Sequence, residues 1–145
     1  MARQRFMRAV DVLTQAAYHA SGGRVGARQA GRDILLLTTV GRKSGKERTH
    51  ALLFVRDGER YVVCGSNFGD ARHPAWYLNL RAHPEGTARI GPLTVPIVAT
   101  EATGEERDHL WRKLVAAWPA FESYQAGTER AIPVIILTPA AGSDR

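Results

Sequence analysis

Short apolar, β-branched runs separated by turn-forming clusters dominate the chain, and they predict strands before they predict anything else. Ile34 to Val40, Thr49 to Val55 and Tyr61 to Cys64 read as three buried strands. Asp57-Gly58, between the second and third, is a dipeptide suited to a two-residue hairpin and predicts antiparallel pairing. Thr87 to Ile90 and Leu93 to Thr100 form another strand pair joined through Gly91-Pro92, with Pro96 placing the second of them at an edge or a bulge. Ile132 to Thr138 is the last buried strand. Helical spacing takes over in two places. His73-Pro74 opens a short helix carrying Trp76, Tyr77 and Leu80 towards Pro84. Thr103 and Glu106 have capping-box spacing, and Leu110, Trp111, Leu114, Val115 and Trp118 follow on one helical face until Pro119.

Six strands with antiparallel hairpins and flanking helices predict a mainly antiparallel α+β domain, a barrel or sheet with helices at its ends. A Rossmann arrangement needs strand-to-helix glycine turns, and the basic turn at Gly41 joins strand to strand. Phe6, Val10, Leu13 and Ala17 predict a short amphipathic helix before the first strand. The expected organisation is an N-terminal helix and linker over 1–32, one barrel domain over 33–139 and a tail over 140–145.

Composition alters this picture little. The 145 residues are 44% hydrophobic and 23% charged, as expected of a single globular domain. Cys64 is the only cysteine, so no intrachain disulfide forms, and neither CxxC nor HExxH is present to suggest a metal. These features predict a reducing, cytoplasmic setting. No apolar run reaches the roughly 20 residues of a membrane-spanning helix. Six arginines in the first 32 residues add peripheral membrane contact through the N-terminal helix as an expectation, while a secretory leader is excluded by the lack of an h-region.

Charge matters more. The net charge is +6, which favours an anionic partner, and its position is informative. Arg42, Lys43, Ser44, Lys46 and Arg48 crowd the turn between the first two strands, where Gly41 and Gly45 let the backbone bend. On chemistry alone this segment is equally an anion grip or a solvated hairpin tip. It is not a Walker A loop, because Val40 stands where that motif needs glycine. Ser66 and Asn67 sit in a Gly-rich loop that would admit a flat ligand. Cys64 reads as a small buried hydrophobe, and the five scattered histidines form no triad or metal set.

Taken together, Thr38-Thr39-Val40-Gly41-Arg42-Lys43-Ser44-Gly45, Gly65-Ser66-Asn67-Phe68-Gly69, His73-Pro74-Ala75-Trp76-Tyr77-Leu78-Asn79-Leu80, Ala82-His83-Pro84 and Thr128-Glu129-Arg130-Ala131-Ile132-Pro133-Val134 resemble the deazaflavin-dependent nitroreductase and quinone reductase family. The resemblance implies a split β-barrel of the FMN-binding type and coenzyme F420, a deazaflavin with a polyanionic phospholactyl-glutamate tail. It implies that Arg42, Lys43, Ser44 and Arg48 hold the tail and that Thr49, His50, Ala51, Leu52 and Leu53 line the coenzyme. Cys64, Gly65, Ser66 and Asn67 would border the deazaflavin, with Ala75, Trp76, Tyr77, Leu78 and Asn79 completing its pocket. The implied chemistry is hydride transfer to a quinone, nitroaromatic or enone, in an acceptor pocket of Trp118, Phe121 and Tyr124 where Ser66 and Tyr124 act on the acceptor. This chain departs from its relatives in two respects. Phe121 stands where a hydroxyl-bearing tyrosine occurs, which favours quinone over nitro reduction, and Asn67 replaces a lysine. An FMN enzyme on the same barrel and a non-catalytic deazaflavin carrier are the alternatives. A nucleic-acid partner is disfavoured by the lack of a reading helix or an aromatic stacking run.

Overall fold

The computed structural model describes residues 28–29 and 32–140, so the expected N-terminal helix and the last five residues of the tail lie outside the described residues. The strands are β1 (Arg28–Gln29), β2 (Arg32–Val40), β3 (Glu47–Leu53), β4 (Val55–Asp57), β5 (Arg60–Cys64), β6 (Glu85–Ile90), β7 (Leu93–Glu101) and β8 (Val134–Pro139). The helices are α1 (Ala75–Ala82), α2 (Gly104–Ala117) and α3 (Ala120–Ala126), with a 3-10 turn at Asn67–Gly69. Every strand pairing is antiparallel, and the order runs β3-β2-β6-β7-β8-β5-β4, with the short β1 also on β2.

Covalent continuity curls this sheet. β3 ends one side of the strand order and β4 the other, yet only Phe54 separates them in sequence. The two edges must therefore approach, and the Phe54 amide donates to the Asp33 carbonyl at 3.1 Å as the chain crosses. This corrects the expectation of one strand over Thr49 to Val55. The apolar run is continuous, but its two halves pair with different neighbours, β3 with β2 and β4 with β5. The Asp57 hairpin forms with a shift of one residue. Asp57 pairs with Arg60, so the two turn residues are Gly58 and Glu59, with Gly58 at φ 62°.

Period-two alternation then builds two cores. Leu35 and Leu37, Tyr61 and Val63, Ile135 and Leu137 face the barrel interior with Phe54, Trp76, Tyr77 and Leu80. Val62, Cys64, Val134 and Ile136 face outward beneath Leu110, Leu114 and Phe121 of α2 and α3. Strands β5 and β8 are covered on both faces, which is why they read as unbroken apolar runs. Pro96 is at neither an edge nor a bulge, which corrects that expectation: β7 lies between β6 and β8, Pro96 pairs in unbroken register with Thr87, and its carbonyl accepts the Ala140 amide at 2.9 Å just past the end of β8.

Three further expectations change. The Thr103–Glu106 capping box does not close, because α2 is entered through Gly104 at φ 61° and Thr103 makes no side-chain cap bond. Glu106 instead pairs with Arg60 at 3.2 Å. This pair extends a network in which Asp57 holds Arg60 and accepts from Lys113 at 3.2 Å, tying the β4–β5 hairpin to α2. Arg60 and Lys113 hold the Asp57 carboxyl below the usual carboxylate range. Strand β8 starts at Val134, after Pro133, rather than at Ile132. Helix α3 was not foreseen, since Pro119 marks the end of one helix and serves as the N-cap of the next.

Candidate functional site

Strand direction decides which loops meet. From β2 to β5 the sheet takes four antiparallel steps, through β6, β7 and β8, so β2, β7 and β5 all run the same way. Their C-terminal ends carry the Gly41–Lys46 turn, Glu101 and the loop after Cys64, and all three open at one end of the barrel. Helix α1 crosses that end and touches each of them.

The basic turn is a built structure. The Gly41 amide donates to the Lys46 carbonyl at 2.7 Å and the Gly45 amide to the Gly41 carbonyl at 2.9 Å, with Gly45 at φ 72°. Ser44 Oγ accepts the Lys46 amide at 3.2 Å. Residues 42–48 are exposed and include four cations against one acid, Glu47. Asn79 anchors the turn to α1. Its Oδ1 accepts the Arg42 amide at 3.1 Å and Arg42 Nη1 at 3.2 Å, while its Nδ2 donates to Thr39 Oγ1 at 3.1 Å. That amide is 3% exposed, and its two bonds to Arg42 fix where the guanidinium sits.

Burial also divides the other expected residues. Side chains alternate along β3, and register places His50 and Leu52 beside the inward Leu37 and Leu35, with Ala51 and Leu53 beside Leu36 and Ile34. The five residues therefore cannot all present side chains to one ligand. Thr49 is tied to Thr38 by a 2.8 Å hydroxyl contact. On α1, Trp76 and Tyr77 are core residues, whereas Ala75 and Leu78, three positions apart on one face, remain open to contact. Tyr77 donates its hydroxyl to Glu101 at 2.7 Å, and burial is the main cause raising its pKa. Its ring, with Leu80, Arg81, Pro84 and Glu101, lines a cleft of about 270 Å³ beside the helix.

The loop after β5 is braced by a residue that sequence reasoning passed over. Arg130 donates through Nε to the Asp70 carbonyl at 3.0 Å, through Nη1 to the Gly65 carbonyl at 3.0 Å, and through Nη2 to the Ser66 carbonyl at 2.8 Å. Its Nη1 also lies 3.2 Å from His73 Nδ1. Burial, with the Arg130 charge beside it, lowers the His73 pKa. The available signal was one arginine in an otherwise uncharged Ala-Ile-Pro-Val approach to a buried strand. Gly65 packs on Pro74 and Pro133, with its amide on the Pro133 carbonyl at 2.9 Å. Burial pushes the Cys64 thiol up to about 12, which makes it an inert core group. Ser66 and Asn67 are half-buried in this loop.

The expected acceptor residues lie on α2 and α3. Phe121 is 6% exposed and packs in the outer core. Trp118 and Tyr124 are half-buried against the same core. Tyr124 stands between Phe68, at 5.8 Å and edge-on, and Phe121, at 6.2 Å. Among the described residues no His, Cys, Asp and Glu group could hold a metal, and no helix is long and apolar enough to cross a membrane.

The profile of the family described as F420H(2)-dependent quinone reductase matches residues 11–139, which span both the basic turn and the Arg130-braced loop. The chain belongs to that family. The chain is 37% identical over 131 residues to a Mycobacterium tuberculosis protein named as an F420H(2)-dependent quinone reductase, covering 87% of each chain. A solved F420-H2 dependent reductase (FDR-A) superimposes with a TM-score of 0.67 at 42% identity, over 72% of this chain and 92% of that one. A second solved structure, described as a domain-swapped dimer, has a TM-score of 0.71 at 36% identity, over 94% and 96%. The fold is the split β-barrel, the protein is an F420-dependent oxidoreductase, and its cofactor is coenzyme F420.

Proposed function

We propose that this chain holds F420 along α1, with the tail on the Gly41–Arg48 turn and the deazaflavin beside Ala75, Leu78 and the Gly65–Asn67 segment, and reduces a quinone bound on the α3 side of that segment. The observation that carries this reading is the convergence of the turn and the loop on one helix. Gly65 meets α1 at Pro74 and Arg42 meets it at Asn79, five residues apart and so about 8 Å along the axis. An elongated ligand with one flat end and one anionic end fits that separation.

The donor set fits the group. Arg42, Lys43 and Arg48 are exposed cations on a turn held in shape by its own amide bonds, and each contributes on the order of 1 kcal/mol at an exposed site. Bound reduced F420 supplies the hydride. The protein supplies orientation and polarity: Asn79 sets Arg42, Arg130 sets the loop carbonyls, and Ser66 is a hydroxyl donor to the acceptor's oxygen as charge develops there. Tyr124 borders the acceptor. The apolar character of Phe121, Trp111 and Trp118 behind it favours a quinone over a nitro group. Cys64 takes no part.

Anaerobic mixing tests the reading. Reduced F420 with the protein and menadione should regain deazaflavin fluorescence at a rate that saturates with menadione, and reduced FMN should not substitute for it. The proposal fails if FMN serves equally well, or if F420 binds tightly and is never reoxidised by quinone.

A further inference from the structure

Phe68 is the residue whose conformation the fold has most reason to avoid. It lies at φ 56°, ψ 31°, follows Asn67 at φ 46° and precedes Gly69 at φ 80°, so three successive residues are left-handed and only one is glycine. A bulky residue rarely accepts this region, and where it does the surroundings must over-determine it. Here they do. Arg130 grips the carbonyls on both sides, at Ser66 and Asp70. Asn67 Nδ2 donates to the Arg72 carbonyl at 3.1 Å, and Asp70 Oδ1 accepts the Arg72 amide at 2.9 Å. Gly69 lies so close to α3 that a Cβ there would stand 3.2 Å from the Tyr124 backbone.

The outcome of all this bracing is a phenylalanine ring left 48% exposed, edge-on to Tyr124. Its position within the loop gives it a direction. Gly65, at the start of the loop, packs towards α1, where the coenzyme is proposed to lie, whereas Phe68 and Gly69 pack towards α3. We infer that Phe68 is an acceptor-specificity residue: its ring, steadied by Tyr124, is the wall on which the flat ring of a quinone stacks. This inference rests on the hydride-transfer reading above for the identity of the acceptor, and on the strained, braced and exposed ring for the site itself.

Phe68→Ala, Phe68→Gly and Phe68→Trp test it against menadione, with two fused rings, and duroquinone, with one. Three quantities are read: steady-state KM and kcat, quenching of tryptophan fluorescence by menadione with oxidised F420 bound, and F420 affinity by deazaflavin fluorescence. Phe68→Ala should weaken menadione about five- to tenfold in both KM and quenching, and duroquinone about twofold, because the smaller ring overlaps less with the wall. F420 affinity should stay within about twofold of wild type, and Phe68→Trp should restore menadione binding. Phe68→Gly should lose menadione in the same way with a Tm at or above wild type, since glycine adopts the left-handed backbone without strain. Unchanged menadione binding in Phe68→Ala overturns the inference. So does a loss of F420 affinity in place of acceptor affinity, which would assign the ring to the coenzyme, or a lowered Tm in Phe68→Gly with quinone binding intact. Menadione binding that depends on Phe68 in a protein that never oxidises reduced F420 refutes the hydride-transfer reading and supports the wall.

Discussion

If Asn79 acts on the coenzyme only through Arg42, removing it must cost nothing once Arg42 is gone. Asn79 Oδ1 accepts two bonds from Arg42, and Nδ2 donates one to Thr39. In Asn79→Ala the exposed Arg42 groups recover water, but Thr39 Oγ1, in a residue 1% exposed, is left without its donor in a dry site. One stranded polar group and the lost bonds cost about 2–3 kcal/mol of stability, a fall in Tm of roughly 8 °C for a domain of this size. The freed guanidinium must then be ordered by the coenzyme itself, a loss of about 1 kcal/mol, or roughly fivefold in F420 affinity. Arg42→Ala, which deletes the cation, should weaken F420 about tenfold at low salt, with the deficit shrinking as salt screens the turn. Deazaflavin fluorescence titrations on both single variants and the double variant complete a thermodynamic cycle. The double variant should bind about as Arg42→Ala does. If the two effects multiply instead, to roughly fiftyfold, Asn79 touches the coenzyme directly and the positioning role is refuted.

Three other outcomes follow from single contacts. A Cβ on Gly86 would stand 2.5 Å from the Thr38 carbonyl oxygen, where β6 crosses β2, so Gly86→Ala should lower stability by about 1–3 kcal/mol in chemical denaturation; an unchanged midpoint would mean the strands part freely. With its thiol at about 12, native Cys64 should resist iodoacetamide at pH 8 and react only on unfolding, and rapid native alkylation would contradict the burial. His73 is harder to protonate in the fold than its ordinary 6.5, so below that pH the unfolded chain binds the extra proton. Its share of stability is therefore whole above about 6.5 and is lost as pH falls through the lowered native value. The slope of stability against pH just below 6.5 should flatten in His73→Gln, and an identical slope would assign the dependence elsewhere.

What the residue pattern determined by itself was local. Apolar alternation and turn chemistry located β2, the two hairpins at Gly58 and Gly91, the helix after Pro74 and the helix after Thr103, because each is governed by neighbours within a few residues. The motifs also singled out the basic turn and the Gly65–Asn67 loop. Tertiary structure decided what those motifs do. Only the strand order, with its four antiparallel steps, brings the ends of β2 and β5 together, and only barrel closure breaks Thr49 to Val55 at Phe54. The division of β3 and α1 into core-facing and open residues needed the partners across each face, which bury Trp76, Tyr77, Asn79 and Phe121. Arg130 became visible only when the carbonyls 60 or more residues before it folded against its guanidinium. A sequence records propensity over a turn or two of chain, whereas a site is held by contacts that have no sequence period, and so its bracing could be read only from the fold.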